Sequence, residues 1–207
     1  MSEAAGQSTR LFRAGLLEDV TLLLAGRGEL GDAVAAAAAA LGARVRELPA
    51  ADLQEEQPAA QVVSDVAGGH RVDVLVVDGA ALFGGAGTPA KGGSELAPLR
   101  AALDRGWDAI RAVANAQLIP QRAGKVVLLA PRPETGPYAG ALRTGLENLA
   151  RTLSIEWARY GITPTAIAPG TSTSAQEVAS VTCFLCSRAG DFFSGCLLEL
   201  GAVAESR

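Results

Sequence analysis

The chain has 207 residues, 49% of them apolar and 4% aromatic, with a formal net charge of −4. That is enough for one domain with a sizeable core and gives no basic block or stripe for nucleic acid. No uncharged apolar run approaches the roughly 20 residues of a membrane span, and the amino terminus MSEAAGQSTR lacks an apolar secretory core, so the cytoplasm is the expected location.

In chain order, residues 1–10 are small and polar and are expected to fray. Leu11–Leu17 carries an apolar patch suited to packing beneath the first strand. Val20–Leu24 is wholly apolar, the pattern of a strand buried on both faces of a parallel sheet. A glycine-rich turn, Ala25–Gly31, leads into an alanine-rich helix, Asp32–Leu41. Gly26, Gly28 and Gly31 have the spacing G-x-G-x-x-G, in which bare backbone amides and a helix N-terminus face an anion. Arg27 and Glu29 lie inside the same turn.

Ala43–Leu48 reads as the second strand. Glu47 lies about twenty residues past the first glycine, where an acid can hold an adenosine ribose, while Arg44 and Arg46 favour a 2′-phosphate or a merely charged strand end. Pro49–Asp52 reads as a turn and Leu53–Gly68 as a helix. Val72–Val77 is a buried strand followed by Asp78-Gly79-Ala80, and Ala81–Ser94 is rich in Gly, Ala and Pro and reads as a loop. Helices are expected over Pro98–Ile119 and from Tyr138 or Ala139 to Tyr160, with strands at Gly124–Ala130 and Ile162–Ala168. A short Thr/Ser-rich loop follows Pro169-Gly170, then a helix over Gln176–Ser187 and a last strand over Cys196–Leu200.

Strands alternating with helices predict an α/β, Rossmann-like doubly wound parallel sheet. About six strands with helices on both faces, joined by right-handed crossovers, make one domain over residues 1–207. Cys183 and Cys186 fall within an apolar run and read as buried thiols, and His70 reads as a loop residue. With no second Cys/His pair, no metal site is expected.

Several stretches resemble the short-chain dehydrogenase/reductase family. These are VDVLVVDGA, GKVVLLA, the run Arg143–Ile162, Ala168-Pro169-Gly170, and Ser187…Ser194-Gly195…Leu200-Gly201. Together with the glycine turn they span about Val20–Gly201. The resemblance implies NAD or NADP as cofactor, with Gly26, Arg27, Gly28, Gly31, Glu47, Asp52, Asp78, Gly79, Pro169 and Gly170 as candidate contacts. It also implies a tyrosine acid whose pKa is lowered by a lysine four residues later, a serine that polarises the carbonyl, and an asparagine that orders a relay water.

This chain departs from that set at each position. Arg143 falls where the lysine belongs, and Tyr138 lies one residue before the tyrosine position, which is Ala139. Tyr138 and Arg143 are therefore the candidate catalytic pair, although a permanently charged, planar guanidinium differs from an ammonium. The serine position falls on Ala130 or Pro131, and the relay asparagine on about Trp107. The glycine turn is one residue shorter than the family's and carries an acid. About 23 residues between the second and third strands leave no room for the family's extra helix and outer strand. The loop Thr171–Ala175 is too short for a substrate lid. Three functions follow: a reductase with displaced groups, a catalytically dead subunit or nucleotide sensor, and an interaction protein that binds no nucleotide. The resemblance further implies a homodimer or homotetramer through the helices near 98–119 and 139–160, or a heteromer with an active relative.

Overall fold

The computed structural model describes residues 12–49, 53–84 and 96–201. Its strands are β1 (Thr21–Ala25), β2 (Arg44–Leu48), β3 (Val74–Asp78), β4 (Gly124–Leu129), β5 (Ile162–Pro169) and β6 (Cys196–Leu200). Its principal helices are α1 (Glu29–Ala40), α2 (Glu56–Ala67), α3 (Gly79–Gly84), α4 (Ala97–Val113), α5 (Ala139–Trp157) and α6 (Ala175–Cys186). The strands form one six-stranded parallel sheet in the order β2-β1-β3-β4-β5-β6.

Side chains alternate across each central strand, which splits the core into two layers. Leu23, Leu75, Val77, Val126, Leu128 and Ala166 point to the face covered by α2, α4 and α5. Leu22, Leu24, Val74, Val76, Val127 and Ile167 point to the face covered by α1 and α6. Both faces are dry, so β1 and β3 carry uninterrupted apolar runs rather than an alternating pattern. Leu17, from the amino-terminal segment, is fully buried beneath the α1 face. At the edge, β2 exposes Arg44, Arg46 and Glu47, charges that discourage pairing with another chain.

Two expectations are corrected. The crossovers do not all share one hand. The steps β1–α1–β2 and β5–α6–β6 run in opposite directions across the sheet, yet α1 and α6 cover the same face. The other three connections have the same hand as the first, the right-handed one that strand twist favours, and the last is reversed. The reason is space: α5 packs over β5 and touches β6 on one face, which sends α6 to the other. There α6 buries Val178, Ala179, Cys183 and Leu185 with the α1 layer. Second, Ala81–Gly84 is not loop but the end of α3, with Leu82 and Phe83 buried in the α4/α5 layer; positions 85–94 of that expected loop lie outside the described residues.

The long fourth helix changes pitch near its end. Ala114–Leu118 is a π-helical turn and Ile119–Gln121 completes it. Pro120 has no N–H for the carbonyl four residues back, and a wider turn absorbs that missing bond. Helix α6 begins in a reciprocal capping box between Ser174 and Glu177. Its two cysteines are buried thiols, with Cys183 pushed up to about 12 by burial and Cys186 pushed up further, so neither ionises at neutral pH. His70 is an exposed loop residue. Among the described residues, no helix is long and apolar enough to cross a membrane, and no cluster of His, Cys, Asp and Glu has a metal-binding arrangement.

Candidate functional site

The chain leaves β1 toward β2 on one side and enters β3 on the other. This reversal opens a crevice at the carboxyl ends of β1 and β3, the usual ligand position of an open α/β sheet. The glycine turn follows β1 there, and Asp78 and α3 follow β3.

The three turn glycines are used by the fold itself. Gly26 has φ +84, and a Cβ on it would lie 3.0 Å from the Asp78 carbonyl oxygen. A Cβ on Gly28 would lie 3.0 Å from Ala81 Cβ, and one on Gly31 only 2.8 Å from Asp78 Oδ2. Helix α3 thus presses against the turn at Gly26 and Gly28, and Asp78, at the end of β3, closes on Gly26 and Gly31. Gly79 serves the same packing from the other side, since a Cβ there would lie 2.8 Å from both the Leu129 carbonyl oxygen and a Leu146 methyl.

Asp78 is fully buried. Its Oδ2 accepts the Gly31 N–H at 2.8 Å, and its Oδ1 accepts the Ala81 N–H at 3.0 Å. Gly28, the residue before α1, has no side chain with which to cap the helix. Asp78 supplies that missing acceptor from across the crevice. Burial pushes its carboxyl above the usual aspartate value, and the N–H groups of Ala81, Gly31 and Ala80 pull it partly back.

The outer rim is a set of ion pairs. Arg27 Nε donates to Asp32 at 2.7 Å, and a terminal nitrogen lies 3.5 Å from Glu47. Asp32 is the main reason that the Arg27 pKa is raised. Arg132, in the loop after β4, forks onto Glu29 with contacts of 2.9 and 3.2 Å. It also donates to the Thr173 carbonyl oxygen at 3.1 and 3.2 Å. Thr173 Oγ1 in turn donates to the Leu200 carbonyl oxygen at 2.7 Å and accepts the Gly170 N–H at 2.9 Å. Pro169-Gly170 is therefore tied to the end of β6, and a Cβ on Gly170 would lie 2.7 Å from Leu200 O.

Arg143 Nη1 donates to the carbonyl oxygens of Pro131 and Pro169, each at 2.8 Å. It staples the ends of β4 and β5 together. Tyr138 is the N-cap residue of α5 and packs, half-buried, against the α4/α5 layer. At the serine position, Ala130 is buried and its N–H bonds Ile167 O at 2.8 Å. Trp107 is 41% exposed on α4.

The fold thus gathers Gly26, Arg27, Gly28, Gly31, Asp78 and Gly79 at the crevice, with Glu47 at its β2 rim. Pro169, Gly170 and Arg143 lie at the neighbouring strand ends, and Asp52 lies outside the described residues. Arg132 and Thr173 belong to the same rim. Only the shortness of Thr171–Ala175 and the isolated arginine in Pro131-Arg132-Pro133 hinted at them. A second depression, about 960 Å³, lies at the opposite, amino edge of the sheet. One of the cations that line it, Lys125, is already held by the Leu185 carbonyl oxygen at 2.9 Å, by Ser187 O, and by Asp191 at 2.6 Å.

No family model matches the sequence. Solved structures of similar shape do. A citronellol catabolism dehydrogenase from Pseudomonas aeruginosa matches with TM-score 0.73 at 23% identity, over 92% of this chain and 96% of that one. A short-chain dehydrogenase from Mycobacterium smegmatis matches with TM-score 0.72 at 18% identity, over 91% and 94%. A hydroxysteroid dehydrogenase from Escherichia coli matches with TM-score 0.71 at 17% identity, over 90% and 98%. With the parallel sheet, the crevice at β1 and β3 and the long paired helices already in place, the chain has the short-chain dehydrogenase/reductase fold.

Proposed function

We propose that this protein is a non-catalytic relative of the short-chain dehydrogenases and reductases, one that keeps their fold and has given up hydride transfer. The carrying observation is Asp78. Its buried carboxylate bonds the Gly31 N–H in the first turn of α1, the turn whose free amides and positive dipole end would otherwise face an anion. The residues present do not fit the pyrophosphate of NAD or NADP. Glu29, Asp32, Glu47 and Asp78 outnumber Arg27 and Arg132 around the crevice, and the guanidiniums are already engaged by those acids. An incoming dianion would break these pairs while adding like charge.

The reaction groups point the same way. Arg143 spends its Nη1 on two backbone carbonyls, and no hydroxyl stands at Ala130 or Pro131. Such a chain acts through contacts, as a homodimer or homotetramer or beside an active relative. The exposed apolar residues Leu96, Trp107 and Ile155, on or beside α4 and α5, support that reading.

Isothermal titration with NADH and NADPH tests the proposal. The expected result is no saturable heat with either, and no oxidation of reduced cofactor across a panel of carbonyl compounds. Saturable binding together with turnover that Tyr138→Phe abolishes would instead make the protein a working reductase with Tyr138 as its acid.

A further inference from the structure

We infer that the amino edge of the sheet is a docking face for an anionic phospholipid surface. It lies at the opposite end of the strands from the crevice and is independent of how the crevice is read. Arg13, Arg44, Arg71, Arg122, Arg159 and Arg188 are scattered through the sequence, and all six are exposed. Arg44 is the first residue of β2, and each of the others lies in the segment that enters one of the remaining strands. In a parallel sheet all these entries fall on one edge, so the fold gathers the six into a row. With neighbouring strands about 4.8 Å apart, that row is about 24 Å long. The depression of about 960 Å³ at this edge is lined by Arg13, Arg71 and Arg188, together with Ala158 and Gly161, which bracket Arg159.

The acids on the same entering segments are Glu18, Asp19, Asp73 and Asp191. Three of them are neutralised locally, Asp19 by Arg44 at 3.7 Å, Asp73 by Arg71 at 3.1 Å and Asp191 by Lys125 at 2.6 Å. Arg13, Arg122, Arg159 and Arg188 have no carboxylate partner among the described residues, so this edge is positive on a chain of net charge −4. Helix C-termini at the edge favour cations there, which accounts for part of the row. They do not account for Phe192, which follows Arg188 in the segment entering β6 and is 90% exposed. A ring held in water beside guanidiniums is the arrangement of an interfacial anchor: the ring enters the headgroup layer, and the cations meet the lipid phosphates and carboxylates. Single-stranded nucleic acid would need several free rings for its bases. Here the Tyr160 ring is occupied by Arg159 and Arg122, at 4.7 and 5.9 Å, and Phe193 packs edge-on against Phe184.

The test is co-sedimentation of the full chain with vesicles of phosphatidylcholine and with vesicles made negative by about one-third phosphatidylserine. Wild type is expected to bind the anionic vesicles at low salt, to leave the neutral ones, and to be released as added salt screens the charges. Arg13→Gln/Arg188→Gln is expected to weaken binding about tenfold or more, and Phe192→Ser about threefold or more. Arg100→Gln/Arg151→Gln removes the same charge from α4 and α5, away from the edge, and is expected to change binding less than about twofold. No binding to anionic vesicles, equal binding to neutral ones, or an equal loss in the α4/α5 variant would each overturn the inference. So would capture of a single-stranded oligonucleotide or of polyglutamate by a wild-type protein that leaves the anionic vesicles unbound.

Discussion

Asp78 links two elements that the chain separates by 47 residues, the start of α1 and the start of α3. Asp78→Ala would leave the buried Gly31 N–H and the part-buried Ala81 N–H without their acceptor, and a buried orphaned group costs about 1–3 kcal/mol. Urea unfolding should therefore show a loss in that range or above, with an unchanged m-value. The same carboxyl gives a pH signature. Burial raises its folded pKa above the ordinary 3.8, so the folded protein holds a proton that the unfolded chain releases. Its contribution is present below 3.8 and is lost as pH rises through the folded value. The stability difference between wild type and Asp78→Asn should thus shrink as pH rises across that interval; a growing difference would contradict it. Arg143 yields a second prediction. Arg143→Lys restores the family's residue type, but one ammonium replaces a guanidinium that joins two strand ends at 2.8 Å. A loss of about 0.5–1.5 kcal/mol in urea and no appearance of carbonyl reduction are expected.

At the level of elements, the contact between the glycine turn and α3 decides how the carboxyl edge is built. The G-x-G-x-x-G spacing is compatible with two uses, a cradle for phosphate or a surface for close packing. The short helix after β3 packs closely on the turn, as the second use requires. Gly31→Ala places a methyl 2.8 Å from Asp78 Oδ2, which is held by the Gly31 N–H, and 3.1 Å from the Gly26 carbonyl oxygen. Overpacking of this kind costs about 1–3 kcal/mol, and thermal or urea unfolding would measure it. Gly68→Ala is the contrasting case, with no atom within 4 Å of its Cβ and a penalty confined to its left-handed φ of +59. Helix α3 itself was hidden in the sequence. GAALFG is short, glycine at both ends and followed by a Gly-rich stretch, so local propensity favours a loop. Burial of Leu82 and Phe83 in the α4/α5 layer overrides it.

Across the whole molecule, α4 and α5 lie side by side on one face of the sheet, close enough that a Cβ on Gly145 would touch Leu103 at 3.2 Å. Ile155, 78% exposed, lies on the outward side of α5. If the protein works through subunit contacts on this face, light scattering at micromolar concentration should give a dimer or tetramer, and Ile155→Glu should shift it toward monomer without lowering the melting temperature of the isolated subunit. A monodisperse wild-type monomer would remove that part of the proposal.

The sequence by itself determined the sheet. Apolar runs at β1, β3 and β4, alternating with amphipathic or alanine-rich helices, permit one economical arrangement in which both faces are covered, and those signals are local and periodic. It also determined which residues stand at the positions that the family resemblance singles out, because Ala130 and Pro131, which carry no hydroxyl, and Arg143 in place of a lysine are visible letter by letter. Tertiary structure decided the state of the crevice and the hand of the last crossover. Asp78 against Gly31, Arg132 against Glu29 and Arg143 against Pro169 join residues 26 to 103 positions apart. Nothing in the spacing of such residues shows whether a carboxylate will meet a ligand or its own chain. That is settled only when the strands close and bring their ends within hydrogen-bond reach.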